Sequence, residues 1–149
     1  VAVPPNQLLV IGYGNTLRRD DGAGPAVAEH FAALGIAGIE VLTCPLLTPE
    51  LAEAVAQSPR VVFVDASIEG SPTVQLRELV PATSSQIMAH AADPRTILAL
   101  ARDVYASTPR AWCVTIPAFD LGFGTECSDR AREGIAEAIR LIHQLAAKD

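Results

Sequence analysis

Cysteine is scarce in this chain and poorly placed for cross-linking. Cys44, Cys113 and Cys127 are odd in number and no two of them form a C-x-x-C pair, which argues against a disulfide framework or a cysteine zinc site and fits a reducing cytoplasm. Positive charge is also short, with 11 Lys and Arg against 17 Asp and Glu and a net charge of -6. Nucleic acid phosphates call for a basic footprint that is missing here, and the same deficit argues against an anionic membrane partner. No apolar run approaches membrane-spanning length, and Val1 to Gln7 lacks the basic n-region of a signal peptide, so a soluble protein is expected. Aromatics are few, at 5% of residues. There is no G-x-x-x-x-G-K-[ST] phosphate loop, no G-x-S-x-G elbow and no H-E-x-x-H zinc motif. Repeats, linkers and low-complexity tracts are missing as well.

What is present is aliphatic: hydrophobic residues make up 50% of the chain, so Val, Leu, Ile and Ala must build the core, as suits a parallel sheet buried on both faces. The 149 residues are read as one domain spanning residues 1 to 149. Leu8 to Ile11 is a short continuous apolar run, a strand. Residues 23 to 34 place Val27, Phe31 and Leu34 at helical spacing with Pro25 in the first turn. Ile39 to Thr43 reads as a second strand ended by Pro45, and Thr48-Pro49-Glu50-Leu51 opens a helix to about Gln57 with Thr48 as its cap. Arg60 to Asp65 is the plainest strand, a run of β-formers ending in an acid. Thr73 to Leu79 alternates apolar with polar, the mark of an edge strand with one solvated face, in antiparallel orientation. Residues 81 to 92 carry no strong pattern. Asp93-Pro94 caps and starts a helix through Tyr105, Arg110 to Ile116 is the last strand, interrupted at Pro117, and Ser128 caps a final helix striped by Ala131, Ile135, Ala138, Ile142 and Leu145. This alternation predicts an α/β fold, a three-layer α/β/α sandwich around a twisted, mostly parallel sheet of about five strands.

The stretch Gly12-Tyr13-Gly14-Asn15-Thr16-Leu17-Arg18-Arg19-Asp20-Asp21-Gly22-Ala23-Gly24 joins the first strand to the first helix, where α/β proteins build sites. As a dinucleotide loop it fails twice. The third Gly of G-x-G-x-x-G falls at Leu17, and two carboxylates would repel a pyrophosphate near the helix N-terminus. A cation site is the better chemistry. Asp20 and Asp21 lie at the carboxyl end of one strand and Asp65 at the end of another; in a parallel sheet those ends share one edge, and acids gathered there without a cation are costly. His90, in unpatterned chain before the Asp93 helix start, is the histidine able to join them. Two oxygens and one imidazole nitrogen leave coordination positions open, as suits zinc or nickel. Each residue also has a plain reading. One of the paired aspartates can cap the first helix, Asp65 can be a polar strand end, and His90 can be a solvated loop residue. His30 and His143 adjoin apolar helical stripes and read as structural or surface residues. Cys44 and Cys113 read as small buried hydrophobes.

Taken together, Gly12-x-Gly14-Asn15-x-Leu17-x-x-Asp20-Asp21-Gly22-x-Gly24, then Val-x-Val-Asp65, then a lone His90 ahead of a helix, resembles the [NiFe]-hydrogenase maturation endopeptidases over nearly the whole chain. The resemblance implies a twisted, mostly parallel sheet between helices. It also implies removal of a C-terminal extension from the hydrogenase large-subunit precursor once nickel has been inserted. By that likeness Asp21, Asp65 and His90 are the catalytic and metal-engaging set, with Asp at the first position where some members carry Glu, and Asp20 is a capping or supporting partner. Nickel would then arrive with the substrate as a recognition signal, with none tightly bound at rest. Two alternatives remain: a metal-sensing assembly module that cuts nothing, and a nucleotide-binding domain. The loop from Pro117 to Cys127, with Phe119 and Asp120, is a candidate wall of the substrate groove.

Overall fold

A computed structural model describes residues 7–83 and 93–148. Its elements are β1 (Leu8–Tyr13), a 3-10 turn (Arg19–Gly22), α1 (Ala23–Leu34), β2 (Ile39–Cys44), α2 (Leu51–Ala56), β3 (Arg60–Ser67), β4 (Gln75–Leu79), α3 (Pro94–Tyr105), β5 (Arg110–Pro117) and α4 (Asp129–Ala147). The five strands form one sheet in the order β2-β1-β3-β5-β4. Only β4 runs antiparallel, paired to β5 at the sheet edge, as its alternating sequence requires.

The pleat explains why β1 and β3 are apolar at every position. Leu8 and Val10 of β1, with Val62 and Val64 of β3, pack into a core shared with Val27 and Phe31 of α1 and Ile142 of α4. Leu9 and Ile11, with Val61 and Phe63, point the other way into a core shared with Val55 of α2 and Ile97 and Leu98 of α3. Successive strand residues face opposite layers, so a strand between two helical layers has no solvated position to fill with polar groups. Burying one such side chain contributes about 1.5–3 kcal/mol. The result is the three-layer sandwich.

Capping follows the sequence at α3 and α4. The Asp93 carboxylate accepts from Arg95 N at 2.8 Å ahead of Pro94, and the Ser128 hydroxyl accepts from Ala131 N at 3.2 Å. Capping does not follow it at α2, which begins at Leu51 rather than at Pro49. Its entry is a tight backbone turn, Leu51 N to Thr48 O and Ala52 N to Pro49 O, both 3.1 Å, and no side chain of its N-cap residue Glu50 closes the end. At the other boundary in question, β5 includes Pro117, which lies beyond the pairing with β4, a ladder that reaches only Thr115. A missing N–H is tolerated at such a position. Among the described residues no helix is long and apolar enough to cross a membrane.

Candidate active site at the carboxyl edge of the sheet

The loop after β1 is shaped by close backbone approach. A Cβ on Gly24 would lie 2.6 Å from the Tyr13 carbonyl oxygen and closer still to that of Val64. The first turn of α1 therefore rests directly on the ends of β1 and β3. Gly14 has φ +148° and packs against the Asp21 carbonyl, a conformation and a contact that only Gly accommodates. With the backbone folded this tightly, the Asp21 carboxylate accepts from Asn15 N at 2.7 Å and the Asn15 side chain accepts from Leu17 N at 2.9 Å. One Asp21 oxygen is thus held by the loop, and Oδ1 has no hydrogen-bond partner among the described residues.

Asp65 meets Asp21 from β3. Register places Gly12 beside Val64 and Asp65 beside Thr115, so Tyr13 and Asp65 follow each other on adjacent strands and share the face that carries Ile11 and Phe63. The Asp65 carboxyl is pushed up to about 6, first by burial; hydrogen bonds from the Tyr13 hydroxyl and Ala66 N–H oppose the rise, and the Asp21 charge adds to it. The Tyr13 phenol is pushed far above its ordinary range by its own burial and by the Asp65 charge, so it stays protonated and able to donate. Beside Asp65 lies an open pocket of about 370 Å³ lined by Gln75, Arg77 and Thr115 among others, and a second depression of about 350 Å³ borders Gly14 to Leu17 and the end of β2 at Thr43 and Cys44. In sheet order the two depressions lie on either side of β3 and its Asp65.

Asp20 does something that sequence reasoning only half anticipated. It is fully buried, and it does not cap α1, whose N-cap is Gly22 with no side-chain bond. Instead it reaches across to the loop after β5. Phe119 N and Asp120 N donate to Oδ2 at 2.8 and 2.9 Å, Ser128 N donates to Oδ1 at 2.7 Å, and the Ser128 hydroxyl donates to Oδ2 at 2.8 Å. Burial alone would raise its pKa, but these donors outweigh burial and hold the carboxyl below its usual range. Around this clamp Arg19 pairs with Asp120 at 3.6 Å, Arg19 N donates to Gly124 O at 3.0 Å and Gly124 N donates to Leu17 O at 2.9 Å. Phe119 and Asp120 therefore belong to a braced wall next to the Asp21 loop, with Phe119 stacked under Arg130 at 3.9 Å.

His30 and His143 stack edge to face at 6.1 Å, and His143 lies 4.7 Å from the Phe31 ring, a surface contact between α1 and α4 rather than part of the acid pair. Cys113 is buried, Cys44 half-buried, and all three cysteines are free. His90 lies outside the described residues. Among the described residues no group of three or more His, Cys, Asp or Glu is placed to hold a metal; what the structure brings together is the pair Asp21 and Asp65. Its donor chemistry fits a divalent cation, because a half-buried carboxylate beside a like charge is relieved by one.

The architecture is thus that of an α/β/α sandwich with an acid pair at the carboxyl edge of its parallel strands. No family profile matches the chain, and no curated protein matches it significantly. Among solved structures, the [NiFe] hydrogenase maturation protease HycI from Thermococcus kodakarensis KOD1 matches with a TM-score of 0.74 at 21% identity, covering 96% of this chain and 94% of that one. The maturation protease HybD from the same organism gives 0.69 at 22% identity, covering 94% and 99%. The hydrogenase maturating endopeptidase HybD from E. coli gives 0.71 at 17% identity, covering 91% and 89%. The chain shares the fold of these proteins over 91% to 96% of its length.

Proposed function

We propose that this chain is an endopeptidase that removes the C-terminal extension of a [NiFe]-hydrogenase large-subunit precursor after nickel insertion, with Asp21, Asp65 and His90 engaging the nickel that the precursor carries. The observation that carries the reading is the under-compensated acid pair: Asp65 is raised by burial and by Asp21, at the edge of a fold shared with named maturation proteases. Two carboxylates and one imidazole occupy only part of a coordination sphere. Such a set suits docking onto a metal whose other positions are filled by its own protein, which makes nickel a signal that the precursor is ready for cutting. Asp20 keeps the neighbouring wall in place while Asp21 presents a carboxylate from the tight loop. The acidic balance of the chain agrees with a protein partner rather than nucleic acid, and the proposed substrate and unpaired cysteines support cytoplasmic action.

The test is incubation with nickel-loaded and nickel-free precursor, followed by intact-mass measurement. The expected result is loss of a C-terminal peptide from the loaded form alone, abolished by Asp21→Asn, Asp65→Asn or His90→Gln and retained by His30→Gln and His143→Gln. Cleavage of neither form overturns the peptidase reading, and binding without cleavage favours a metal-sensing assembly module. Native-rate cleavage by His90→Gln removes His90 from the set.

A further inference from the structure

The arginines of this chain are nearly all occupied. Arg19, Arg110 and Arg140 are ion-paired, Arg60 and Arg95 donate to backbone carbonyls, and Arg130 lies over Phe119. Arg77 is different. Within the described residues the Arg77 side chain makes no hydrogen bond, ion pair or ring contact, although it sits in the middle of β4 rather than on a loop. Its position is defined by register: Arg77 lies opposite Cys113 and Gln75 opposite Thr115 across the antiparallel ladder, while Asp65 lies beside Thr115 across the parallel one. Paired residues share a face, so Arg77, Thr115 and Asp65 stand on the same side of the sheet. They line the same pocket, whose other charged residue among those described is the acid Glu69. Arg77 is the cation of that pocket, and it is not spent on Asp65, whose hydrogen bonds come from Tyr13 and Ala66 instead.

We propose that Arg77 is a specificity-determining residue that binds a carboxylate of the peptide being released, on the β4 side of the acid pair. The inference rests on the peptidase reading and names the chemistry of its leaving fragment. A guanidinium presents two parallel N–H donors in a fork that matches a carboxylate. A C-terminal extension ends in one carboxylate and can carry others on Asp or Glu side chains. On a protein with a net charge of -6, an anionic peptide approaching the acid pair is repelled unless a local cation receives it. The free guanidinium in the pocket that Asp65 also lines supplies that reception without neutralising the acids that must meet the metal.

The experiment compares kcat and KM of the full chain and its Arg77→Gln and Arg77→Lys variants on nickel-loaded precursor. The precursor is used unaltered, with each Asp or Glu of its extension changed to the amide, and with an amidated C-terminus made by ligation. Arg77→Gln is expected to raise KM about tenfold with kcat nearly unchanged, the size of one lost charge-assisted hydrogen-bond pair, and Arg77→Lys to recover part of the loss. Neutralising the recognised carboxylate should raise KM for the wild type and leave Arg77→Gln unaffected. The amidated arm identifies the terminal carboxylate and the side-chain arms identify an internal one. Unchanged KM in Arg77→Gln, or precursor changes that act equally on both proteins, overturns the assignment. Failure of the wild type to cut any precursor removes the peptidase reading and this inference with it, an outcome distinguishable from wild-type cleavage with an indifferent Arg77.

Discussion

Asp20 and Asp65 are two acids at the same edge of the same sheet, both withdrawn from water, and their surroundings treat them in opposite ways. Asp20 is fully buried and receives four hydrogen bonds from three residues of the loop after β5; its carboxyl sits below the ordinary range despite burial. Asp65 is half-buried, has Tyr13 and Ala66 as donors, faces the charge of Asp21 and sits at about 6. Burial of a carboxylate is therefore not by itself a sign of function here. The number of donors separates a finished structural anion from one that still lacks a positive partner. Asp21 belongs with Asp65, since the loop satisfies one of its oxygens through Asn15 N and leaves the other available.

The sharpest way to break this comparison is to remove the satisfied acid. Asp20→Ala strands the Phe119, Asp120 and Ser128 amides and the Ser128 hydroxyl at once, and each donor left buried without a partner costs about 1–3 kcal/mol. Denaturant unfolding should register that loss, and limited proteolysis should find new cleavage between residues 117 and 128. The pH dependence has a definite sign: a depressed carboxyl stabilises above the unfolded Asp pKa and loses that contribution as pH falls through the folded value. A variant as stable as wild type, with the loop still resistant, would show that the clamp is incidental.

Removing the unsatisfied acid should do the opposite. Asp65 is raised to about 6, so folding without a cation becomes progressively less favourable as pH climbs through the interval between the unfolded and folded values. Asp65→Asn should therefore be more stable than wild type by about 2 kcal/mol near pH 8, an advantage that vanishes below the unfolded Asp pKa, at about pH 3, where Asp65 is largely protonated in both states. Thermal melts at the two pH values measure it. Adding nickel should reverse the ranking by stabilising only the form that binds it. A variant less stable than wild type at every pH would mean that Asp65 is as well compensated as Asp20.

Much of the architecture was legible because it rests on local pattern. Runs of apolar β-formers marked β1 and β3 as strands, alternation from Thr73 to Leu79 marked an antiparallel edge that the structure forms over Gln75–Leu79, and Asp93-Pro94 and Ser128 announced two helix starts that the structure places where expected. The convergence of Asp21 and Asp65 followed from parallel topology, since carboxyl ends of neighbouring strands share an edge. The role of Asp20 was not legible, because its partners lie 99 to 108 residues away and no periodicity reports which loops meet across a sheet edge. Adjacency to Asp21 suggested a helix cap; tertiary pairing decided otherwise. Tyr13 was equally silent, reading as the variable position of a glycine motif although its hydroxyl serves Asp65 from the next strand. The opening of α2 failed for a local reason: Thr48 and Pro49 have the composition of a cap and first turn but are used as a tight backbone turn.

Tyr13 gives the smallest and most discriminating test, because it is what keeps Asp65 from being wholly unlike Asp20. Its hydroxyl lowers the Asp65 pKa against burial and the Asp21 charge, and its own pKa lies so far above the ordinary range that it donates at any working pH. Tyr13→Phe keeps the ring that packs beside Leu9 and Ile11 and deletes one donor, so the change in stability should stay near 1 kcal/mol or below. The carboxyl responds more clearly. With one donor fewer, Asp65 moves further above about 6, and the acid limb of the kcat/KM profile on nickel-loaded precursor should shift to higher pH in step with it. Cation affinity should fall at the same time, since a supporting hydrogen bond on a ligating carboxylate commonly changes metal affinity about tenfold or more. An NMR titration of the Asp65 carboxyl and a nickel titration of the purified variant read the two effects separately. An unmoved acid limb together with unchanged nickel affinity would place the phenol beside Asp65 as packing alone, and would leave Ala66 N–H as the acid's remaining identified donor.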